Sequence, residues 1–488
     1  MAIFTDNDIL TILRDQNPWW VSGQVNPAVE KPFHRGEYYE ASRVFFHEIR
    51  RFPVLSGLRR VGKSCILYQM IGDLLRSGVP PIKIIYISLD TEVLTEAGLL
   101  HSLHLYRSTL NNDQEFYLFA DEVQKDADWA SVLKHIYDAF PLSRAAATGS
   151  ASGKIEDKYH ETGEGRLHLI KVPTLSFYEY CILKGVKIPE IKTEDLFSLH
   201  LLSKAEQASD MIKLSDLLSD MYSYLHMGGF PEYVKISPKD ENYALSLIAE
   251  NVINKAIYTD LAHENINPIQ LKRVFTYLCN MTSKQLNIGE MCNQLGGMSP
   301  ITVEKYLGIL ENANLIYRSW PVRQDGKKAL KAQAKVYIAD AGIREAIICG
   351  LHAKDDPVQL GYAVESAAFK HTVDYCRVKD LTWYAGYLRC QANQKRTGNE
   401  VDIAVCNGQG IFQLVESKFR SRSPVKDTDL IVKAALQDRP GYVITKDPDD
   451  FGPELRENVS IYRIPAVAYL FINGKMQHMC NNAALKTD

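Results

Sequence analysis

The sequence has no Cys-x-x-Cys pair. Its nine cysteines (Cys65, Cys181, Cys279, Cys292, Cys349, Cys376, Cys390, Cys406 and Cys480) are scattered and odd in number. That excludes a disulfide frame or a thiolate zinc site and fits buried thiols in a reducing compartment. No uncharged apolar run approaches the ~20 residues of a membrane span. The first stretch carries Asp6, Asp8, Arg14 and Asp15 among its apolar positions, so no signal peptide is expected to begin the chain. The expectation is a cytoplasmic protein with no membrane partner. Excess charge is scarce too: 56 Lys and Arg against 59 Asp and Glu leave a net charge of −3. Any nucleic-acid surface must therefore be a local patch. There is neither an internal repeat nor a low-complexity segment.

What is present is globular material, 46% hydrophobic and 24% charged over 488 residues. That is too long for one core and predicts roughly two to four domains. Residues 1–30 read as a short amphipathic helix (Ile9, Leu10, Leu13) followed by Asn17-Pro18-Trp19-Trp20, with the tryptophans packed on the next domain. Residues 31–185 alternate apolar runs (Phe52–Ser56, Ile82–Leu89, Phe116–Ala120, Arg144–Thr148, Leu167–Val172) with amphipathic stretches, the pattern of a mostly parallel sheet flanked by helices. Residues 186–285 are helix-rich, with a turn at Gly228-Gly229-Phe230-Pro231; 286–335 read as a compact helix–turn–helix–ribbon; 336–488 return to mixed α/β.

Gly57-Leu58-Arg59-Arg60-Val61-Gly62-Lys63-Ser64 matches the Gly-x4-Gly-Lys-Ser phosphate loop, with an apolar strand before it and a helix over Cys65–Arg76 after it, as the motif requires. Gly57 and Gly62 let the backbone N–H groups face phosphates, and the helix N-terminus adds positive potential. Lys63 is expected to reach the β- and γ-phosphates of ATP, and the Ser64 hydroxyl to hold Mg²⁺. Arg59 and Arg60 lie outside the general pattern. They touch phosphate or a neighbouring subunit, or they are a solvated or salt-bridged pair.

Glu115–Glu122 is an apolar strand ending in two carboxylates. Asp121 is placed to bind Mg²⁺ through water and Glu122 to polarise the attacking water. Arg144–Ser150 is another strand, and Thr148 at its end is a candidate γ-phosphate sensor. Arg166 is either a surface arginine or one that serves a neighbour's site in a homo-oligomer.

Gly57–Ser64, Phe119-Ala120-Asp121-Glu122-Val123-Gln124, Thr148-Gly149-Ser150, Leu175-Ser176-Phe177-Tyr178-Glu179-Tyr180 and Gly228-Gly229-Phe230-Pro231-Glu232 together resemble the prokaryotic AAA-type ATPases with a C-terminal DUF4143 domain, from about residue 31 onward. The resemblance implies an ASCE-type P-loop core, a helical lid, a winged helix and a restriction-endonuclease-like α/β domain.

The residues themselves point the same way. Asn287–Leu295 is a short helix broken by Gly296-Gly297. Ser299 and Pro300 suit the cap and first position of a second helix carrying Val303, Leu307 and Leu310 on one face. Strands at Leu315–Arg318 and Val336–Ile338 flank a turn at Gln324–Lys328. That order is a winged helix-turn-helix. From Arg318 to Asp340 the local charge is +4, which suits phosphate contact with DNA. The second helix turns only Thr302, Glu304 and Lys305 outward, however, and a protein–protein spacer is the alternative.

Farther on, Gly398–Val405 carries Asp402, and Phe412–Lys418 carries Glu416 and Lys418. An acid on one strand and Glu-x-Lys on the next match the PD-(D/E)xK nuclease pattern, since strand residues two apart share a face. Asp402 and Glu416 are expected to bind Mg²⁺, Lys418 to activate water and stabilise charge on a phosphate. Glu365, on the helix Gly361–Tyr375, is a further candidate ligand. Lys418, Arg420, Arg422 and Lys426 form a basic run suited to a nucleic-acid backbone. The expectation is an ATPase coupled to a DNA-directed, Mg²⁺-dependent nuclease-like module. The alternative is a nucleotide-dependent switch or DNA-binding regulator whose last domain binds a partner without cutting.

Overall fold

The structure is a computed structural model. It describes the chain except residues 1–3, 151–154, 156–157, 164, 262–265, 330–331, 349–355, 390–399, 421–424, 435–439, 457 and 484–488. Gly398, Asn399 and Arg422 of the motifs above lie outside the described residues. The chain divides into two compact units: Met1–Pro173 with Tyr258–Leu261 and Asn481–Asp488, and Thr174–Ile257 with Ala262–Cys480.

The first unit is built on five parallel strands, β1 (Phe52–Gly57), β2 (Ile84–Ser88), β3 (Tyr117–Asp121), β4 (Arg144–Ser150) and β5 (Leu167–Lys171), ordered β2-β3-β4-β1-β5. All five apolar runs of the sequence form strands. β1 is buried along its whole length, as a central parallel strand covered on both faces must be. β4 lies between β1 and β3, so the strand carrying Thr148 separates the one leading into the phosphate loop from the one ending in Asp121.

β2 is one of the two edge strands of this sheet, and an unpaired strand edge is a hazard unless covered. The N-terminal segment covers it with side chains rather than with a strand. After the helix Asp6–Gln16, the Gln16 amide donates to Ser88 O at 3.2 Å and accepts from Ser88 N at 2.9 Å. The Asn17 amide donates to Tyr86 O at 2.8 Å and accepts from Tyr86 N at 2.6 Å. Both Trp19 and Trp20 donate their indole N–H to Ile84 O, at 3.1 and 2.8 Å. Alternate residues of β2 thus find their ladder partners in the polar tips of Gln16, Asn17, Trp19 and Trp20.

The second unit holds ten strands among its described residues: β6 (Lys284–Gln285), β7 (Ile316–Ser319), β8 (Pro321–Val322), β9 (Lys335–Ile338), β10 (Tyr384–Arg389), β11 (Glu400–Asn407), β12 (Gly410–Ser417), β13 (Gly441–Thr445), β14 (Gly452–Arg456) and β15 (Val459–Pro465). They form a three-stranded antiparallel sheet, β6-β9-β7, and a seven-stranded mixed sheet, β14-β15-β13-β12-β11-β10-β8. Alternation along β11 sends Ile403 and Val405 into one apolar cluster and Ala404 and Cys406 into another, so the large sheet is buried on both faces. The helix Pro357–Lys379 packs on β10, β11 and β12. Helices Pro268–Asn280, Ile288–Gln294 and Pro300–Asn312 accompany the small sheet, the last capped by Ser299, whose hydroxyl accepts from Thr302 N, with Pro300 at its first position. The Gly228-Gly229 turn sits at the end of the helix Leu218–Met227 because Gly228 has φ +77° and a Cβ there would overlap the Asp340 carboxylate. That carboxylate accepts from Gly229 N and Gly342 N, each at 2.9 Å.

The basic ribbon departs from expectation. The chain between β7 and β9 does not stand out as a free wing. Pro321 and Val322 pair in parallel with Tyr387 and Leu388 at the edge of the large sheet. Gly386 permits this approach, since a Cβ there would lie 2.5 Å from Trp320 O, and Tyr384 donates its hydroxyl to Gly326 O at the turn. Part of its charge is also paired: Arg318 with Glu311 and Glu304, and Arg323 with Asp325. The described cysteines form no disulfide, and no helix among the described residues is long and apolar enough to cross a membrane.

Asn17→Ala is expected to lower stability by about 1–3 kcal/mol, because it strands the N–H and C=O of buried Tyr86; urea unfolding of the full chain measures it. A change within a few tenths would mean that water replaces the amide and that the strap is decorative.

Candidate functional site

The phosphate loop follows β1. A Cβ on Gly57 would overlap the Val172 carbonyl oxygen, and Gly62 has φ +97°, so both glycines are required by geometry. Arg60, inside the loop, takes φ +65°. The helix then runs Lys63–Arg76, with Gly62 at its cap position. Lys63 is buried, and its ammonium donates to Gly57 O at 3.1 Å and Leu58 O at 2.9 Å, folding back over the loop. Burial lowers its pKa, against the opposing pull of Glu122, Asp121 and Asp260. Ser64 is the next residue on the same first turn.

Asp121 ends β3 with its side chain buried. One of its oxygens accepts from the Tyr86 hydroxyl at 2.6 Å; the other accepts from the Thr148 hydroxyl and, at 3.1 Å, from Glu122 N. Burial, then the Asp121 charge, pushes the Tyr86 phenol well up, so it remains a donor. Glu122 adopts φ +56°, a left-handed backbone that costs of order 1 kcal/mol for such a residue. Its carboxylate accepts from Gln124 Nε2 at 2.5 Å and from the Ser150 hydroxyl at 3.4 Å. Lys63, Ser64, Asp121, Glu122 and Thr148 thus gather at the C-terminal ends of β1, β3 and β4. Gln124 and Ser150 are additions. Both stand inside motifs quoted above, but nothing in the sequence says that they grip Glu122.

Asp260 is a second addition. Arg59 makes a bidentate pair with it, 2.8 Å on both arms, and Asp260 is buried. Of the two readings of Arg59, the salt-bridged one is what the fold contains. Arg166 pairs with Asp138 at 3.0 Å and lies over the Tyr137 ring, so it is engaged within its own chain.

In the second unit, Glu400 and Asp402 lie two apart on β11 and share a face. Between them sits an unforeseen cation, Lys335 of β9, with its side chain 2% exposed. Its Nζ is 2.8 Å from Glu400 Oε1, 2.9 Å from Asp402 Oδ1 and 3.9 Å from Glu365 Oε1. The other Asp402 oxygen accepts from Ser417 N at 2.9 Å, and Glu365 accepts from the Tyr337 hydroxyl at 2.9 Å. Glu416 is near enough to Asp402 for that charge, after burial, to push its carboxyl well up; its Oε2 has no hydrogen-bond partner. Burial first and Asp402 second bring the Glu365 carboxyl up to about 8. Lys418 is bound to Asp429. Glu365, Asp402, Glu416 and Lys418 do converge, but no group of three or more His, Cys, Asp or Glu among the described residues is arranged to hold a metal ion. Beside them opens a cleft of about 780 Å³ whose lining includes Tyr362, Glu365, Lys418, Arg420, Lys426 and Lys446.

Residues 50–181 match an AAA domain family, AAA_14, and the chain carries an AAA-type P-loop ATPase domain. Residues 218–355 match a domain of unknown function, DUF8612, where DUF4143 was expected. The match runs across the boundaries drawn above at 285 and 335. Curated relatives include an uncharacterized protein of Haemophilus influenzae, 26% identical over 64% of this chain and 73% of its own. Uncharacterized protein MJ1637 of Methanocaldococcus jannaschii is 24% identical over 86% and 84%. Among solved structures, the Walker-type ATPase PABY2304 of Pyrococcus abyssi aligns with TM-score 0.41 at 13% identity, over 65% of this chain and 96% of that one. AMPPCP-bound DnaA of Aquifex aeolicus aligns with TM-score 0.25 at 15% identity, over 58% and 92%.

Arg59→Ala leaves the buried Asp260 carboxylate uncompensated and is expected to cost about 3 kcal/mol in urea unfolding, with part of the loss restored by adding Asp260→Ala. Strict additivity of the two substitutions would show that the pair is not coupled.

Proposed function

We propose that this protein is an ATP-hydrolysing switch that governs a nucleic-acid-directed, nuclease-like module in the second half of the chain, and that this module binds without cutting. The observation that carries the ATPase reading is the meeting of Lys63, Ser64, Asp121, Glu122 and Thr148 at three neighbouring strand ends. Gly57 and Gly62 open the loop so that its N–H groups, with Arg60 alongside, can cradle phosphates. Lys63 exchanges the carbonyls of Gly57 and Leu58 for β- and γ-phosphate oxygens. The Ser64 hydroxyl and the Asp121 carboxylate are hard oxygen donors that fit Mg²⁺. When bound, that ion would supply charge neutralisation on the β- and γ-oxygens. Glu122, steadied by Gln124 and Ser150, orients the attacking water, and Thr148 holds Asp121 in place beside it.

For the second half we read a helical lid before residue 285, a winged helix over 286–335 and a restriction-endonuclease-like domain over 336–488. The helix–strand–helix–helix–strand order ending in a β6-β9-β7 sheet supports the winged helix, although its wing is annexed by the large sheet. Antiparallel β11–β12 followed by parallel β13, with Glu365 on the covering helix, supports the nuclease-like part. The residues at Asp402 and Glu416 do not fit a divalent ion, because Lys335 already answers the Asp402 charge and Asp429 already engages Lys418. No metal-dependent step follows from this geometry. The cleft offers Arg420, Lys426 and Lys446 against Glu365, which suits a phosphate backbone.

Lys63→Ala and Glu122→Gln should both lose ATP turnover, and only the former should lose most ATP binding. Turnover retained in both overturns the ATPase reading. Wild type and Lys418→Ala should give equal background in a plasmid-nicking assay with Mg²⁺, with or without ATP. Fluorescent DNA should still bind, with an affinity that falls as salt rises. Nicking above the Lys418→Ala level overturns the non-cutting reading, and no DNA binding overturns the partner.

A further inference from the structure

We infer that the Lys335 ammonium is the resident cation of the nuclease-like acidic cluster and occupies, permanently and from within the chain, the place a divalent metal would take. This rests on the nuclease-like reading of β11 and β12. Glu400 and Asp402 project from one face of β11, and an isolated pair of carboxylates so placed would repel. Lys335 reaches both at hydrogen-bond distance, 2.8 and 2.9 Å, and comes within 3.9 Å of Glu365.

The small sheet supplies more than the lysine. Gln285 stands opposite Lys335 in the β6–β9 register, and its amide donates to the second Glu400 oxygen at 2.6 Å. Tyr337, two along β9 from Lys335, donates to Glu365 at 2.9 Å. Ser417 N takes the remaining Asp402 oxygen at 2.9 Å. Every oxygen of Glu400 and Asp402 therefore has a donor within 2.9 Å, Lys335 serving one oxygen of each. A metal would have to expel a buried ammonium that the carboxylates hold, and that ammonium would then be left without partners in a buried place, the costlier arrangement.

The consequence is a module that keeps the shape and basic cleft of a nuclease while the repulsion within its acidic centre is relieved by a positive charge that cannot diffuse away. A phosphate backbone drawn to Arg420, Lys426 and Lys446 meets no metal-bound water at Asp402. The cleft can retain a polyanion unbroken, which is what a switch that positions nucleic acid requires.

The test is Mn²⁺ binding, followed by electron paramagnetic resonance, on the nucleotide-free full chain carrying Asp121→Asn to silence the phosphate-loop site. With Lys335 present, no Mn²⁺ bound through Asp402 is expected. Lys335→Gln should create a site at least about tenfold tighter (~1.4 kcal/mol), lost again when Asp402→Asn is added. A Lys335-containing chain that binds Mn²⁺ in a manner abolished by Asp402→Asn overturns the inference, and so does a folded Lys335→Gln chain that gains nothing. If Lys335→Gln fails to fold, the chain with Lys335 still decides by its own Mn²⁺ binding and by whether Mg²⁺ or a chelator shifts its melting temperature, neither of which should. A chain that holds Mn²⁺ at Asp402 yet nicks no DNA defeats this inference alone. A chain that nicks DNA defeats the non-cutting reading.

Discussion

A carboxylate taken out of water must be met by a donor or a cation, and the sites of this protein are organised by where those counter-groups come from. Asp121 is met by hydroxyls, from Tyr86 on β2 and Thr148 on β4. Asp260 is met by the Arg59 guanidinium and Asp402 by the Lys335 ammonium. The choice matters chemically. Hydroxyl donors orient a carboxylate without cancelling its charge, which leaves Asp121 able to offer that charge to a metal. An ammonium or guanidinium offsets the charge, so Asp260 and Asp402 become structural partners. Two acidic centres whose motifs look equally suited to Mg²⁺ are thereby separated by one difference in their neighbours.

The same contrast explains how much the sequence could reveal. The phosphate loop was legible because everything it needs is local: a buried strand, two glycines whose backbone or space admits no other residue, and a helix beginning at Lys63. The Asp121-Glu122 pair was legible because its strand precedes it directly. Thr148 came with its own strand, and the order β3-β4-β1 then placed it between the other two. The five apolar runs gave five strands because a parallel sheet buried on both faces needs continuous apolar runs, and such runs stand out.

Long-range pairing escaped. Arg59 and Asp260 are 201 positions apart and Lys335 and Asp402 are 67 apart, and no periodicity links either pair. Lys335 was counted toward a basic ribbon, since residue type and local charge say nothing of burial. The ribbon's two strands form as expected and pair as β7 and β9, but where the chain between them docks is set by a distant partner. Pro321 and Val322 dock on Tyr387 and Leu388 only because the bare backbone at Gly386, more than sixty positions on, admits Trp320. The N-terminal strap was half legible: packing of Trp19 and Trp20 was expected, but not that Gln16, Asn17 and both indoles would act as a substitute strand along β2.

Phosphate binding depends on the same division between neutral and charged partners. Lys63 is held by two loop carbonyls, and Arg59, four positions before it, is fixed to a buried carboxylate. The carbonyl contacts are neutral acceptors that a phosphate anion outcompetes readily, whereas the Arg59–Asp260 pair is charged, bidentate and largely shielded. The loop is therefore anchored at Arg59 and free to release Lys63, the arrangement a site needs if ligand is to engage the lysine without unmaking the loop. At the other centre the asymmetry is reversed: Lys335 is the anchored cation and nothing neutral waits to be exchanged. One site is poised to change partners when a phosphate arrives, and the other has its partner built in.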